Sequence, residues 1–331
     1  KSQKSSSSAR ERAMCVTWLL FAVSATSVAS LQQPGAAKVV DFRPVLSAVL
    51  ERVEARLGKL TPYAIPDGLS EARSPKGQIT ETVAYSVGAL RQIRAAVIRP
   101  EDDNELGIRV LNLVAFPDPA ISDLCGWALP VFGADLVTLP GGHLVALDLH
   151  PMSSEEEHAT AVLPALSPVY AGYQQRPTSA EPTDVKVGHA LPWGGDLPEA
   201  ALPFFSPCAL WTRLPQDAAG TETLATTVCQ KALFDYLDVF LDLCVQASAT
   251  ATAAAADAAR VDSSTISVFS DPPAVSSRAA SAAQRQQAYS QYRVEKDPAR
   301  GMLTRFHGAD FTERLITEVL FDFDKAFPAQ G

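Results

Sequence analysis

Two aspartates sit in settings that suit proton chemistry rather than solvation. Asp135 lies in the apolar stretch FGADLVTLPGGHLVALDLHP (132–151), and Asp297 lies between a lysine and a proline in YRVEKDPARGMLTRFHG (292–308). A carboxylic acid donates a proton near neutral pH only when burial or nearby negative charge raises its pKa. An acid on an apolar strand and an acid on a loop folded back over a sheet both meet that condition. The plain alternatives are a hydrogen-bonded strand-end acid at Asp135 and a turn-forming acid before Pro298. Arg293, four residues before Asp297, would lower the acid's pKa, so its work there is orientation and charge balance.

Other chemistries find no support. Asp148-Leu149-His150 and Glu155–His158 hold metal-ligand residue types, but no second cluster at a recognisable spacing accompanies them. Ser206 lacks the Gly-x-Ser-x-Gly elbow of hydrolases. Gly141-Gly142 opens no helix and has no Gly-x-Gly-x-x-Gly spacing, so it reads as a turn and not as a phosphate cradle. The 5 cysteines show no C-x-x-C pair, which argues against an intrinsic iron–sulfur cluster and for reduced, isolated thiols. A net charge of −9 over 331 residues excludes a nucleic-acid binder of the usual basic kind. No run of about 18 apolar residues interrupts the body of the chain, so no bilayer span is expected there.

The elements that must position the acids read as follows. Residues 1–34 form a targeting leader: a short apolar run, Val16–Val23, is followed by small residues with a Ser27-Val28-Ala29 cleavage-type pattern. Asp41–Leu57 has helical apolar spacing. Ile79–Val87, Ala89–Ile98, Ile108–Phe116, Asp135–Leu139, His143–Leu149 and Phe204–Leu214 read as strands. Leu139-Pro140-Gly141-Gly142-His143 joins two of them as a tight hairpin. Glu222–Cys244 reads as a helix. Residues 247–283 are Ala/Ser/Thr-rich, with too little apolar bulk to offset ordering, and read as a flexible insertion that can be helical at its start. Gln284–Tyr292 resumes helix. Asp310 and Glu313 have capping-box spacing for a last helix to about Phe321. Residues 35–331 therefore form one domain, an antiparallel sheet covered by helices.

Several stretches in order, LTPYAIPDGL, VLNLVAFPDP, FGADLVTLPGGHLVALDL, LPFFSPCALWTRLP, ALFDYLDVFLDL and YRVEKDPARGMLTRFHGADFTERLITEVLFD, resemble the ferredoxin-dependent bilin reductases over roughly residues 41–322. The resemblance implies an α/β/α three-layer sandwich with a central antiparallel sheet, and an open-chain tetrapyrrole bound between sheet and C-terminal helices. It implies no intrinsic cofactor: single electrons come from reduced ferredoxin carrying a 2Fe–2S cluster, and protons come from the protein. Asp135 and Asp297 then become proton donors to the A-ring diene, with Asn112 and Arg293 contacting substrate.

Asn112 stands where phycocyanobilin-forming members have a histidine, which argues against that branch. The segments around Asp135 and Phe204 resemble the members that take 15,16-dihydrobiliverdin to phycoerythrobilin. The alternatives are a reductase starting from biliverdin, for one step or both, and a non-catalytic bilin carrier; the presence of both acids favours catalysis. A bilin's propionates call for basic anchors, assigned to Arg213 and Arg300 because guanidinium matches carboxylate in a bidentate way. An acidic ferredoxin needs a local basic patch, from Arg91, Arg94 and Arg99 or from Arg300, Arg305 and Arg314. A monomer in a plastid, reached through the secretory route and receiving substrate from a sister reductase, completes the expectation.

Overall fold

A computed structural model describes residues 40–103, 107–174, 191–215, 221–262 and 277–322. The leader reading and residues 263–276 of the expected insertion lie outside these. The chain opens with α1 (Arg43–Leu57), started by Pro44, whose missing N–H costs nothing in a first turn. Strands β1 (Thr61–Pro62), β2 (Glu71–Arg73), β3 (Gln78–Val87), β4 (Leu90–Pro100) and β5 (Arg109–Pro117) follow, then α2 (Ile121–Cys125). Next come β6 (Val131–Leu139), β7 (Gly142–His150), α3 (Glu155–Ala161), α4 (Leu163–Tyr173) and β8 (Leu210–Pro215). A π-helical lead-in, Leu224–Val228, runs into the long α5 (Cys229–Asp262). Three helices close the described chain: α6 (Ser277–Lys296), α7 (Arg300–His307) and α8 (Ala309–Leu315), the last prolonged by a π segment to Leu320.

The 8 strands form one sheet in the order β1-β3-β4-β5-β6-β7-β8, with β2 also on β3, and every pair is antiparallel. Side chains alternate between faces, so the register decides what each layer contains. One face carries Leu111, Leu113, Phe132, Ala134, Leu136, Val145, Leu147 and Leu149, packed on α1 and α5. The other is lined by Ala96, Val110, Val114 and Val131 under α6 to α8. Ala96 faces Asn112, Asn112 faces Asp135, and Asp135 faces Ala146 across successive strands. Arg94, Asn112, Gly133, Asp135, Asp148 and His150 therefore share this second face. One layer is mainly apolar and the other holds the chemistry, giving the expected three-layer α/β/α arrangement.

The first core is closed by α5, whose Cys229, Ala232, Leu233, Tyr236, Leu237, Phe240, Leu241 and Cys244 are each 0% exposed. Their spacing of three and four residues makes one stripe. Residues Leu224–Ala256 are long and apolar enough to cross a membrane by length and composition. The apolar stripe instead lies on the sheet, while Asp238 pairs with Arg52 at 2.7 Å and Asp242 pairs with Arg56, both arginines on α1. Phe240 stacks on Phe132 at 5.5 Å between ring centres. Phe240→Ala is expected to cost about 3–5 kcal/mol by leaving a cavity there, read as a lower urea midpoint with unchanged slope.

Four expectations are corrected. β6 begins at Val131, so Asp135 sits mid-strand between two partner strands and does not open it. Phe204–Leu214 is not a single strand: a 3-10 turn spans Glu199–Phe204 and only Leu210 onward is paired. Pro203 and Pro207 lack the N–H a ladder needs, and the Ser206 hydroxyl accepts the Cys208 N–H at 3.1 Å, bending the chain. The 247–283 segment is helical at its start, as the reading allowed, but helix also resumes at Ser277, before Gln284, because alanine is the best helix former. Hydroxyls of Ser248, Thr250 and Thr252 there donate to the carbonyl four residues back. The Asp310–Glu313 capping box does not form either. Gly308, at φ +88°, takes the cap position, and Glu313 is drawn to Arg300.

The hairpin stands as expected. Leu139 pairs with Gly142, leaving Pro140-Gly141 as the turn, and Gly142 takes φ +141°.

Candidate active site

Asp135 is the hinge of the polar face. Asn112, directly opposite on β5, donates from Nδ2 to Asp135 Oδ1, while its own Oδ1 accepts from Arg94 Nη1. Arginine can only donate, so the amide orientation is forced: oxygen toward Arg94, NH2 toward Asp135. Arg94 is 0% exposed, and its Nε donates to the Leu320 carbonyl at 3.0 Å. Burial pushes its pKa down to about 10, and Nη2 has no hydrogen-bond partner among the described residues. The ring of Phe321 lies 5.1 Å from this guanidinium. Arg94 thus sits inside the protein, and Arg91 beside it is buried against Asp322 at 3.6 Å and over Phe116. Arg99 is paired with Glu81 and Asp103. That trio is not the surface patch expected from sequence, because two of its members point into the sandwich.

From the helical side, α6 brings Arg293 to Asp135, Nη2 to Oδ2 at 3.6 Å. Burial alone would lower the Arg293 pKa, but Tyr289, Asp135 and Asp297 around it hold it above the ordinary arginine value. Its Nε is buried with no hydrogen-bond partner among the described residues. Phe321 lies under this cation too, at 5.4 Å.

Asp297 follows the last turn of α6 and is 9% exposed. Its Oδ1 accepts the Ala299 N–H at 2.8 Å, so the turn-forming role is real. Burial raises its pKa and nearby Asp135 adds to that, against the pull of Arg293, the Ala299 bond and Arg94. The net direction is upward, as a proton donor requires.

A linkage prediction follows from that direction. A carboxyl whose folded pKa is raised binds more protons in the native state, so its contribution to stability is full below the unfolded pKa. It is lost as pH rises through the folded value. Asp297→Asn removes that penalty. The stability of the variant relative to the unmodified chain is expected to increase as pH rises from about 4 toward neutrality, read from urea melts at each pH.

A second polar group lies beside the first and was not read from the sequence as a site. Asp148 (1% exposed) accepts the Ser206 hydroxyl at 2.5 Å and the Ser206 N–H at 2.8 Å. His150 Nδ1 is 3.2 Å from Asp148 Oδ2 and 2.7 Å from the Phe204 carbonyl. Sequence reading weighed Asp148 and His150 only as metal ligands. Strand alternation carried through the hairpin from Asp135 would have placed both on its face. A small cavity is lined by Asp135, Asp148, His150, Phe205, Tyr289 and Arg293, among others.

The other assigned residues lie apart from this cavity. Arg213 is exposed on β8 with its guanidinium 5.2 Å from the Trp211 ring. Arg300 bonds Glu313 and the Val294 carbonyl, which ties α7 to the end of α6. Of the second arginine group, Arg314 pairs with Glu318 at 3.1 Å and Arg305 is exposed.

Comparison with known proteins bears on this geometry. The sequence model of the ferredoxin-dependent bilin reductases matches residues 36–322. A phycoerythrobilin:ferredoxin oxidoreductase from Nostoc punctiforme (strain ATCC 29133 / PCC 73102) is 36% identical over 292 residues, covering 86% of this chain and 94% of its own. One from Synechococcus sp. (strain RCC307) is 38% identical over 275 residues, covering 81% and 86%. Among solved structures, tomato phytochromobilin synthase in complex with biliverdin superposes with a TM-score of 0.62 at 23% identity, over 86% of this chain and 84% of that one. That likeness concerns the fold.

Proposed function

The chain belongs to the ferredoxin-dependent bilin reductases, and from that premise we propose that it reduces 15,16-dihydrobiliverdin to phycoerythrobilin. The observation that carries this is the pair of aspartates held around one arginine, Asp135 at 3.6 Å from Arg293 and Asp297 buried within its field. Relatives named phycoerythrobilin:ferredoxin oxidoreductase support the choice of product.

The reaction adds two electrons and two protons to the A-ring diene. Ferredoxin supplies the electrons singly, and each is balanced by a proton, so the protein's task is to hold acids beside the carbons that become saturated. Burial disfavours the charged form of Asp297 and raises its pKa, which favours proton donation. Asp135 is oriented by Asn112, whose amide is locked by Arg94, and it faces the cavity. Arg293 neutralises whichever carboxylate has just given up its proton, so the second transfer does not leave an uncompensated buried charge. The apolar layer on α1 and α5 makes a rigid back wall for these groups. Ferredoxin docks as electron donor, and a sister reductase hands over the substrate.

The test is anaerobic turnover by the full chain with reduced ferredoxin, offered dihydrobiliverdin and biliverdin separately, with products separated by chromatography. Conversion of dihydrobiliverdin alone to phycoerythrobilin is the expected result. Turnover of biliverdin would assign the earlier step or both. Tight binding with no turnover of either would make the protein a carrier.

A further inference from the structure

The Asp148–His150–Ser206 group has a geometry that the two-aspartate mechanism does not use. The Phe204 carbonyl can only accept, so its 2.7 Å contact requires the proton of a neutral His150 to sit on Nδ1. Asp148 Oδ2 shares that proton at 3.2 Å. Asp148 is itself fixed by two donors from Ser206, so three groups converge to set one tautomer. The ring is clamped between Phe205 and Tyr289, with centres 5.0 Å and 4.9 Å away. In the neutral ring Nε2 is then the acceptor, and no protein donor among the described residues reaches it.

Residue 133 shows where Nε2 lies. A Cβ built there would stand 2.5 Å from it, so only glycine lets the imidazole lie on the sheet at the cavity wall. A buried, oriented acceptor beside Asp135 has the features of a ligand contact.

We propose that His150 is a substrate-binding residue: its Nε2 accepts a hydrogen bond from a pyrrole or lactam N–H of the bound tetrapyrrole, with Asp148 and Ser206 as positioning residues. This rests on the bilin reading above and adds a contact on β7 to those from β5, β6 and α6. It gives the pocket a polar group that orients the chromophore and does not protonate it.

Two experiments test it. The first is titration of the full chain with dihydrobiliverdin, followed by absorbance, for the unmodified protein, His150→Phe and His150→Gln. Phe keeps the ring packing and removes the acceptor; the lost bond to a buried N–H weakens binding by about tenfold and shifts the bound absorbance band. Gln restores an acceptor and brings affinity back to within about threefold. His150→Phe binding with unchanged affinity and band would overturn the assignment while leaving the enzyme reading intact. Failure of the unmodified chain to bind any bilin would overturn both.

The second needs no variant: 15N spectra of the histidine-labelled protein. The expected pattern has a protonated Nδ1 and a bare Nε2 whose resonance moves upfield when dihydrobiliverdin is added. An Nε2 that carries a proton, or does not respond to ligand, contradicts the proposal.

Discussion

Asp297→Asn is expected to lower dihydrobiliverdin turnover by about 10²–10⁴-fold, the range set by loss of a positioned general acid, while bilin binding persists. The substitution is clean on structural grounds. An amide is nearly isosteric with the carboxyl, and its oxygen can still accept the Ala299 N–H that closes the turn after α6. It has no acidic proton to give. The change also removes a charge that burial disfavours, so folding is not the casualty. Single-turnover absorbance with reduced ferredoxin reads the effect: the electron arrives, the proton does not, and a one-electron-reduced bilin accumulates, visible by electron paramagnetic resonance. Turnover within about threefold of the unmodified chain, a difference well under 1 kcal/mol in barrier, would reduce Asp297 to a turn former. Asp135→Asn is the less direct probe. Asn112 already donates to Asp135 Oδ1, so the new amide must present its oxygen there and its NH2 toward Arg293. Part of that variant's loss is therefore a reoriented polar network.

The second large effect is on stability. Arg293→Leu is expected to destabilise the protein by about 3 kcal/mol at neutral pH, the lower end of the cost of breaking a buried ion pair. The guanidinium is 12% exposed and its partner Asp135 is 27% exposed, so solvent still softens the loss at the acid. Removing the cation leaves Asp135 and the buried Asp297 without their nearest positive charge. Asp297 already has a raised pKa, and losing Arg293 raises it further. The variant's native state then holds its proton to higher pH than the unmodified chain, so its stability falls more steeply as pH rises. The gap between the two proteins is expected to be widest at neutral pH and to narrow on acidification through the carboxylate range. A gap independent of pH would mean that Arg293 acts through packing over Phe321 alone. Activity should fall as well, since Asp135 loses the contact that faces it into the cavity.

The sequence alone determined much of this protein, because some of its signals are local. Short runs rich in Val, Leu and Ile, punctuated by Pro and Gly, marked β3, β4, β5 and β7, and Pro140-Gly141 marked the hairpin that sets the β6–β7 register. Asp135, Asn112, Arg293 and Asp297 could be named from the segments that carry them, and the structure brings all four together. What needed tertiary structure was which side chains meet across strands and helices far apart in the chain. Arg94 reads as one of three arginines on a strand; only the packing of Leu320 and Phe321 over it turns it inward to fix Asn112. Ser206 reads as a strand residue, yet its bonds to Asp148, 58 residues away, bend the segment into a turn. A separation of 54 residues likewise hid the contact of His150 with the Phe204 carbonyl. The Asp310 cap failed for a related reason: Arg300 lies across the helix and claims Glu313. Propensity and period act within a few residues, whereas a buried polar group must find its partner wherever the fold delivers one. The chemistry of the site depends on that second requirement.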